Sequence, residues 1–297
     1  MITVFGSINV DLVTRVARIP GPGETVRGSD YVLIPGGKGA NQALAARRAG
    51  ASVRLAGAIG DDGMAAIALG ELEAGGVDLS SVARHAGPTG LAVITVDERG
   101  ENTIVVSPGA NARAAASSIP GDAFRAGDTL LLQMEIPFSE SLAAAVAARA
   151  AGARVILSVA PYTALPAEDA AAFDMLIVNE HEAADLATHL GVFAKGADAT
   201  ATALARRLGR TVVATLGASG AVAATAGGLI RVPAVPVTVV DTTGAGDTFC
   251  GVLAACLDEG ADMTAAMTMA AIAGSLACTR EGAQPSFPTR AEIEAAA

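Results

Sequence analysis

Short β-branched runs alternate with alanine-rich segments along most of the chain. Six runs read as strands: "ITVFGS" (2–7), "VRLAGAI" (53–59), "TLLLQME" (129–135), "RVILSV" (154–159), "DMLIV" (174–178) and "TVVATL" (211–216). Helical segments are expected at about 39–50, 62–75, 139–152, 181–190, 198–209, 246–259 and 263–279. Strands and helices in alternation predict an α/β fold with a mostly parallel sheet covered on both faces. Two stretches break the rhythm. Residues 10–35 alternate apolar and polar positions and carry the turn-rich "IPGPGET", and 90–107, "GLAVITVDERGENTIVVS", reads as a β-hairpin around "DERGEN". Neither has a helix partner, so together they predict a small antiparallel flap against the main body.

The 297 residues suffice for one large domain or two ordinary ones, with no linker or repeat to divide them. Hydrophobic residues make up 52% but aromatics only 3%, which suits alanine-rich helices packed on a sheet better than an aromatic nucleic-acid surface. A formal charge of −10 argues against nucleic acid or an anionic membrane as partner. A chain this acidic that handled phosphates would have to gather positive potential locally, in backbone dipoles, a few basic side chains or metal ions. Cys250, Cys256 and Cys278 form no CxxC pair and read as buried free thiols of a cytosolic protein. The N-terminus "MITVFGSINVDL" lacks the features of a signal peptide. The most membrane-like window, 263–278, is shorter than the roughly 20 residues a span needs and reads as a buried helix.

"DTTGAGDTF" (241–249) follows the β-branched run "VPVTVV" and precedes "CGVLAAC", as a strand-to-helix junction would. Gly244 and Gly246 let the backbone approach a ligand, and the following helix start offers unpaired N–H groups and a positive dipole end. A carboxylate there, Asp247, is poised to take a hydroxyl proton while the amides stabilise a transferring phosphoryl group. It could equally be a plain helix cap.

"GGKGANQALAARRAG" (36–50) is a second glycine-rich helix start, but neither a P-loop nor a dinucleotide fingerprint. Lys38 opposes the helix dipole there, which points to an electron-rich ligand or a solvated surface lysine. On "GSINVDLV" Asn9 and Asp11 share one strand face, fit for a solvent edge or for vicinal sugar hydroxyls. Asn179 and Glu182 match a capping box, and the same helix face could hold Mg²⁺ or its waters. His181 reads as a surface residue. "TLGASG" (215–220) is a turn that could cradle a nucleotide, and Glu135 ends a strand at the edge where parallel sheets bind ligands.

In order along the chain, "GSINVD", "PGETV", "GGKGANQALAARRAGA", "ENTIVVSPGAN", "MEIP", "VNEHEA", "TLGASG", "DTTGAGDTF" and "TREGAQPS" resemble the ribokinase-like (PfkB) family of sugar kinases. The likeness runs over essentially the whole chain. It implies a three-layer α/β/α sandwich with a small β lid, formed as one kinase domain over 1–297 with the lid at about 10–35 and 90–107. It also implies ATP-dependent phosphorylation of a sugar hydroxymethyl group, with O5 of D-ribose favoured; deoxyribose, ketose and nucleoside kinases, or a non-catalytic sugar binder, share nearly the same residues. By this resemblance Asp247 is the general base and Gly244, Ala245 and Gly246 form the anion hole. Asn9, Asp11, Gly37, Lys38, Asn41 and Glu135 match sugar contacts. Asn179, Thr215, Gly217 and Gly220, with Gly246, match the nucleotide site, and Glu182 a position linked to Mg²⁺. Asp241, Thr243, Ala277, Arg280, Gly282 and Ser286 match a loop for monovalent K⁺. The resemblance further implies a cytoplasmic homodimer joined through the lid. Ser158 and Val159 depart from it, standing where the family often has Asn-Pro.

Overall fold

The computed structural model describes residues 1–297. The chain opens with β1 (Ile2–Phe5), β2 (Asn9–Arg15), β3 (Val32–Gly36) and α1 (Lys38–Arg48). Next come β4 (Val53–Gly60), α2 (Met64–Ala74), β5 (Asp78–His85), β6 (Gly90–Val96) and β7 (Asn102–Ser107). The middle holds β8 (Thr129–Leu132), α3 (Phe138–Ala150), β9 (Arg154–Ser158), β10 (Met175–Asn179), α4 (Glu180–His189) and α5 (Ala197–Leu208). The last third is β11 (Thr211–Thr215), β12 (Ala221–Thr225), β13 (Gly228–Val232), α6 (Ala245–Asp258), α7 (Met263–Ala277) and α8 (Arg290–Ala295).

Nine strands form the central sheet in the order β13-β12-β11-β10-β9-β8-β1-β4-β5. The pairs from β11 through β5 are all parallel; the two pairs at one edge, β11–β12 and β12–β13, are antiparallel. Alternation along each strand splits the interior into two layers. Ile2, Val4, Leu131 and Ile156 join the side chains of α1, α2, α6 and α7 in one cluster, and Phe5, Leu130, Leu132, Val155 and Leu157 join those of α3, α4 and α5 in the other. The expected three-layer α/β/α arrangement is therefore present.

Small residues let α1 and α6 pack unusually close. A Cβ on Gly251 of α6 would lie 2.5 Å from the carbonyl oxygen of Gln42 on α1, so only glycine fits. This contact sets the spacing between the two helix N-termini that carry the chemistry below. α7, the buried helix expected at 263–278, packs into the same layer. No helix is long and apolar enough to cross a membrane.

The expected flap is a second sheet, β3-β2-β6-β7. β2 pairs antiparallel with β3, and β6 with β7, as the hairpin pattern predicts. The centre of this sheet corrects the all-antiparallel expectation, because β2 and β6 run parallel. The chain travels through β3, α1, β4, α2 and β5 between them, and so re-enters in the same direction. A second correction concerns "VPVTVV", which is no strand. Pro236 interrupts it, Pro233 stands two residues before it, and Val239 and Val240 are exposed. The N–H of Val240 is satisfied by the Cys278 carbonyl instead of a ladder. β5, β13 and α8 lay outside the sequence expectation altogether.

Candidate active site

α6 starts at Ala245 with Gly244 as its N-cap at φ 77, where a Cβ would lie 2.7 Å from the Phe287 ring. Asp247 does not cap this helix: its side chain makes no capping bond. It reaches across to α1, where Oδ2 accepts from Asn41 Nδ2 at 3.0 Å and Oδ1 from Gln42 Nε2 at 3.0 Å. Lys38 Nζ stands 4.0 Å from Oδ1. The carboxyl is 8% exposed, so it is shielded yet reachable. The N–H groups of Gly244, Gly246 and Asp247 have no backbone acceptor, whereas that of Ala245 donates to the Thr242 carbonyl at 3.2 Å. Of the three expected anion-hole residues, Ala245 is thus already committed inside its own tight turn.

Asp247 opens onto a cleft of about 250 Å³ at the C-terminal ends of the parallel strands. Lys38, Asn179, Glu182, Thr215, Gly244 and Gly246 line it, uniting residues drawn from both glycine-rich segments and the "VNEHEA" and "TLGASG" motifs. Ser158, Thr242 and Cys250 also line it, with Ala160, Ile177 and Val178. A wider depression of about 350 Å³ lies at the opposite ends of the strands, where Arg149 and Asp174 pair with each other.

Lys38 is the only basic side chain in the cleft wall, and it stands among carboxylates. The Asp247 carboxylate, ahead of Glu135 and Glu182, raises the Lys38 ammonium above its ordinary range against the opposing effect of burial. Lys38 therefore stays charged. Its awkward place at a helix N-terminus is offset by these carboxylates. Asn179 and Glu182 do form a reciprocal capping box. Only one Glu182 oxygen is spent on it, at 2.7 Å from the Asn179 N–H. Burial raises the Glu182 carboxyl, with the Asn179 N–H and Lys38 pulling the other way. His181 is exposed, as expected.

The predicted sugar contacts converge beside the cleft. Glu135 accepts from the Ser7 hydroxyl and, at 3.1 Å, from the Lys38 N–H. Gly37 is the N-cap of α1. Asn9 is 3% exposed and its Oδ1 accepts from Asn111 Nδ2 at 2.7 Å, leaving its own amide N–H groups free. Asp11, two residues along β2, is pushed up to about 7 by burial and then by the charges of Glu135 and Asp247, with Lys38 opposing. Gly217 and Gly220 lie outside the cleft lining, in the turn after Thr215.

The segments matched to a cation loop are stapled together by Asp241. Its Oδ1 accepts from the Thr243 N–H at 2.9 Å and hydroxyl at 2.7 Å, and its Oδ2 from the Gly282 N–H at 2.9 Å. Burial works against its charge, but these donors outweigh it and hold the carboxyl below its ordinary range. The Ser286 hydroxyl donates to the Ala283 carbonyl, so its oxygen keeps free lone pairs. With the carbonyls of Thr243, Ala277, Arg280 and Gly282, the donor set is all oxygen, which suits a hard cation. The Arg280 side chain itself pairs with Glu292. No cluster of three or more His, Cys, Asp or Glu side chains is spaced to hold a metal.

Sequence reasoning missed Ser7, Gln42, Asn111, Gln133 and Gln284. Gln42, Asn111, Gln133 and Gln284 are at most 1% exposed. Each is an amide inside an apolar run or beside a quoted motif, which was a usable signal, but the sequence does not say which buried amide meets which.

The description "pfkB family carbohydrate kinase" matches residues 1–290. The ribokinase of Bacillus subtilis (strain 168) is 37% identical over 301 residues, covering 99% of this chain and 98% of that protein. Among solved structures, a ribokinase from Thermotoga maritima superposes with a TM-score of 0.91 at 34% identity, covering 99% of this chain and 98% of that one. An Arabidopsis thaliana ribokinase complexed with ribose and ATP gives a TM-score of 0.89 at 32% identity, covering 99% and 97%.

Proposed function

Because this chain belongs to the pfkB family of carbohydrate kinases, we propose that it transfers the γ-phosphoryl group of ATP to the 5-hydroxymethyl oxygen of D-ribose, giving ribose 5-phosphate and ADP. One observation carries the reading: a shielded carboxylate, Asp247, is clamped by two amide donors in the same cleft as Lys38 and an uncommitted set of helix N–H groups. Relatives and solved structures that are ribokinases, one holding ribose and ATP, support the choice of sugar and phosphate donor.

In this mechanism Asp247 accepts the proton of the 5-hydroxyl as its oxygen attacks the γ-phosphorus. The free N–H groups of Gly244, Gly246 and Asp247, with the α6 dipole, take up charge on the transferring group. Lys38 holds its charge between the sugar and phosphate sides. Asn9, Asp11, Glu135 and Asn41, set around Gly37, bind the ring hydroxyls and orient O5 towards Asp247. Asn179 and Thr215, with the turn at Gly217 and Gly220, flank the nucleotide.

Mg²⁺, arriving with ATP, would neutralise phosphate charge near the unspent oxygen of Glu182. K⁺ would fit the oxygen set of Asp241, Thr243, Ala277, Arg280, Gly282 and Ser286. The chain acts as one kinase unit, with the second sheet as its lid. That sheet carries an exposed apolar strand, with Ile104, Val105 and Val106 49–65% exposed, which fits a homodimer joined through the lids. The free thiols of Cys250, Cys256 and Cys278 accord with a cytoplasmic setting.

ADP release measured with ribose, deoxyribose, fructose, tagatose and adenosine, with and without K⁺, tests the proposal. Ribose should give the highest kcat/KM. Sugar binding without any ADP would overturn it.

A further inference from the structure

Asp247 is the inner end of two hydrogen-bonded chains of side-chain amides. Gln133 Nε2 donates to Gln42 Oε1 at 2.7 Å, and Gln42 Nε2 donates to Asp247 Oδ1. On the other side Gln284 Nε2 donates to Asn41 Oδ1 at 3.2 Å, and Asn41 Nδ2 donates to Asp247 Oδ2. Chemistry fixes the polarity. An ionised carboxylate only accepts, so both inner amides must turn their NH₂ groups towards it and their oxygens away. Those oxygens then need donors, and Gln133 and Gln284 supply them.

The outer ends show the same one-way order. Gln133 Oε1 and Gln284 Oε1 are buried without any partner. An orphaned buried acceptor is destabilising, and an apolar side chain of similar shape would avoid that cost. Two such losses at matching places point away from simple packing and towards the group on which both chains converge. Each outer residue is anchored by a different element. Gln133 follows β8 directly. Gln284 lies in the C-terminal loop, where Arg48 donates to its carbonyl at 2.6 Å and to that of Phe287 at 3.0 Å.

We infer that Gln133 and Gln284 are positioning residues for phosphoryl transfer. Acting through Gln42 and Asn41, they lock the amide faces that hold the general base charged and aimed at O5. Without the outer donor an inner amide is free to rotate, presenting an oxygen or nothing to the carboxylate. The carboxylate then loses a donor that favours its charged form. The inference rests on the reading of Asp247 as general base.

Gln133→Met and Gln284→Met keep side-chain length and remove the donor. Each should lower kcat about 10-fold, leave the ribose KM within about twofold, and move the acid limb of the kcat–pH profile upward. Parent-like kcat and acid limb in both variants would overturn the inference, as would kcat and KM changing together with the limb unmoved. If Gln133→Met fails to fold, Gln284→Met decides alone. Asp247→Asn separates the two levels. Turnover retained there sinks the general-base reading, whereas turnover lost there with parent-like glutamine variants sinks only the amide chains.

Discussion

Asp241 and Asp247 lie six residues apart on either side of one glycine turn, and both are drawn out of solvent, yet they are held in different ways. Asp241 accepts three hydrogen bonds from its own turn and the Gly282 loop. Asp247 accepts two, both from side-chain amides of another helix. A carboxylate has about four lone-pair sites. Backbone and hydroxyl donors tie Asp241 into the chain as a staple. Asp247 keeps capacity towards the cleft, and its donors are side-chain amides of another helix, each fixed in turn by a further amide. Burial and charge alone do not separate the fastener from the base proposed here; the origin of the donors is what differs between them.

The sharpest way to break this contrast is Asp247→Asn. Turnover should fall about 10²–10⁴-fold, with ribose affinity and melting temperature near those of the parent. A kcat close to the parent's, measured by ADP release, would remove the distinction. Asp241→Ala should act on the other axis. Losing charge-assisted bonds at a partly exposed site costs about 2 kcal/mol, or about 4–8 °C in Tm by calorimetry. Its kcat should fall no more than about 10-fold, as the Gly282 loop detaches.

A third carboxylate sharpens the comparison through pH. Asp241 titrates below its ordinary value of 3.8. Its contribution to stability is therefore present above about pH 4 and is lost as pH falls through its folded value. Asp11 is raised from 3.8 to about 7. The folded protein binds its proton more tightly than the unfolded chain, so that contribution is present below about pH 4 and lost as pH rises to 7. Asp11→Asn should thus melt about 2–4 °C above the parent at pH 8, with the gap closing towards pH 4. An equal gap at both pH values would contradict the assignment. The smallest effect is expected farthest from the cleft: Val105→Lys on β7, which tests the proposed dimer, should leave the protein sedimenting as a monomer where the parent sediments as a dimer, and move Tm by about 1 °C or less.

Much of this frame was legible beforehand. Strands such as "TVVATL" and "RVILSV" are apolar on both sides because helices cover both faces, and that continuous pattern survives in one dimension. β5 did not show, since "DLSSVARH" lies at a sheet edge and mixes polar with apolar positions. "VPVTVV" misled for the opposite reason, having strand composition without a neighbour to pair with. At the site, motifs located Asp247, Lys38 and Glu182 because local rules are broken or doubled there. Asn111 and the three glutamines escaped because their meaning lies in partners 91 to 243 residues away.

β1 passes into β2 through only Gly6, Ser7 and Ile8. The middle of the catalytic body and the covering sheet are thus one continuous thread, and Asn9 and Asp11 ride on the cover. On the proposed mechanism, a swing of that sheet to admit ribose would carry Asn9 and Asp11 away from Lys38 and Asp247. On that proposal an ajar molecule would lack two of its sugar contacts, and ATP would be spent only once the acceptor is enclosed.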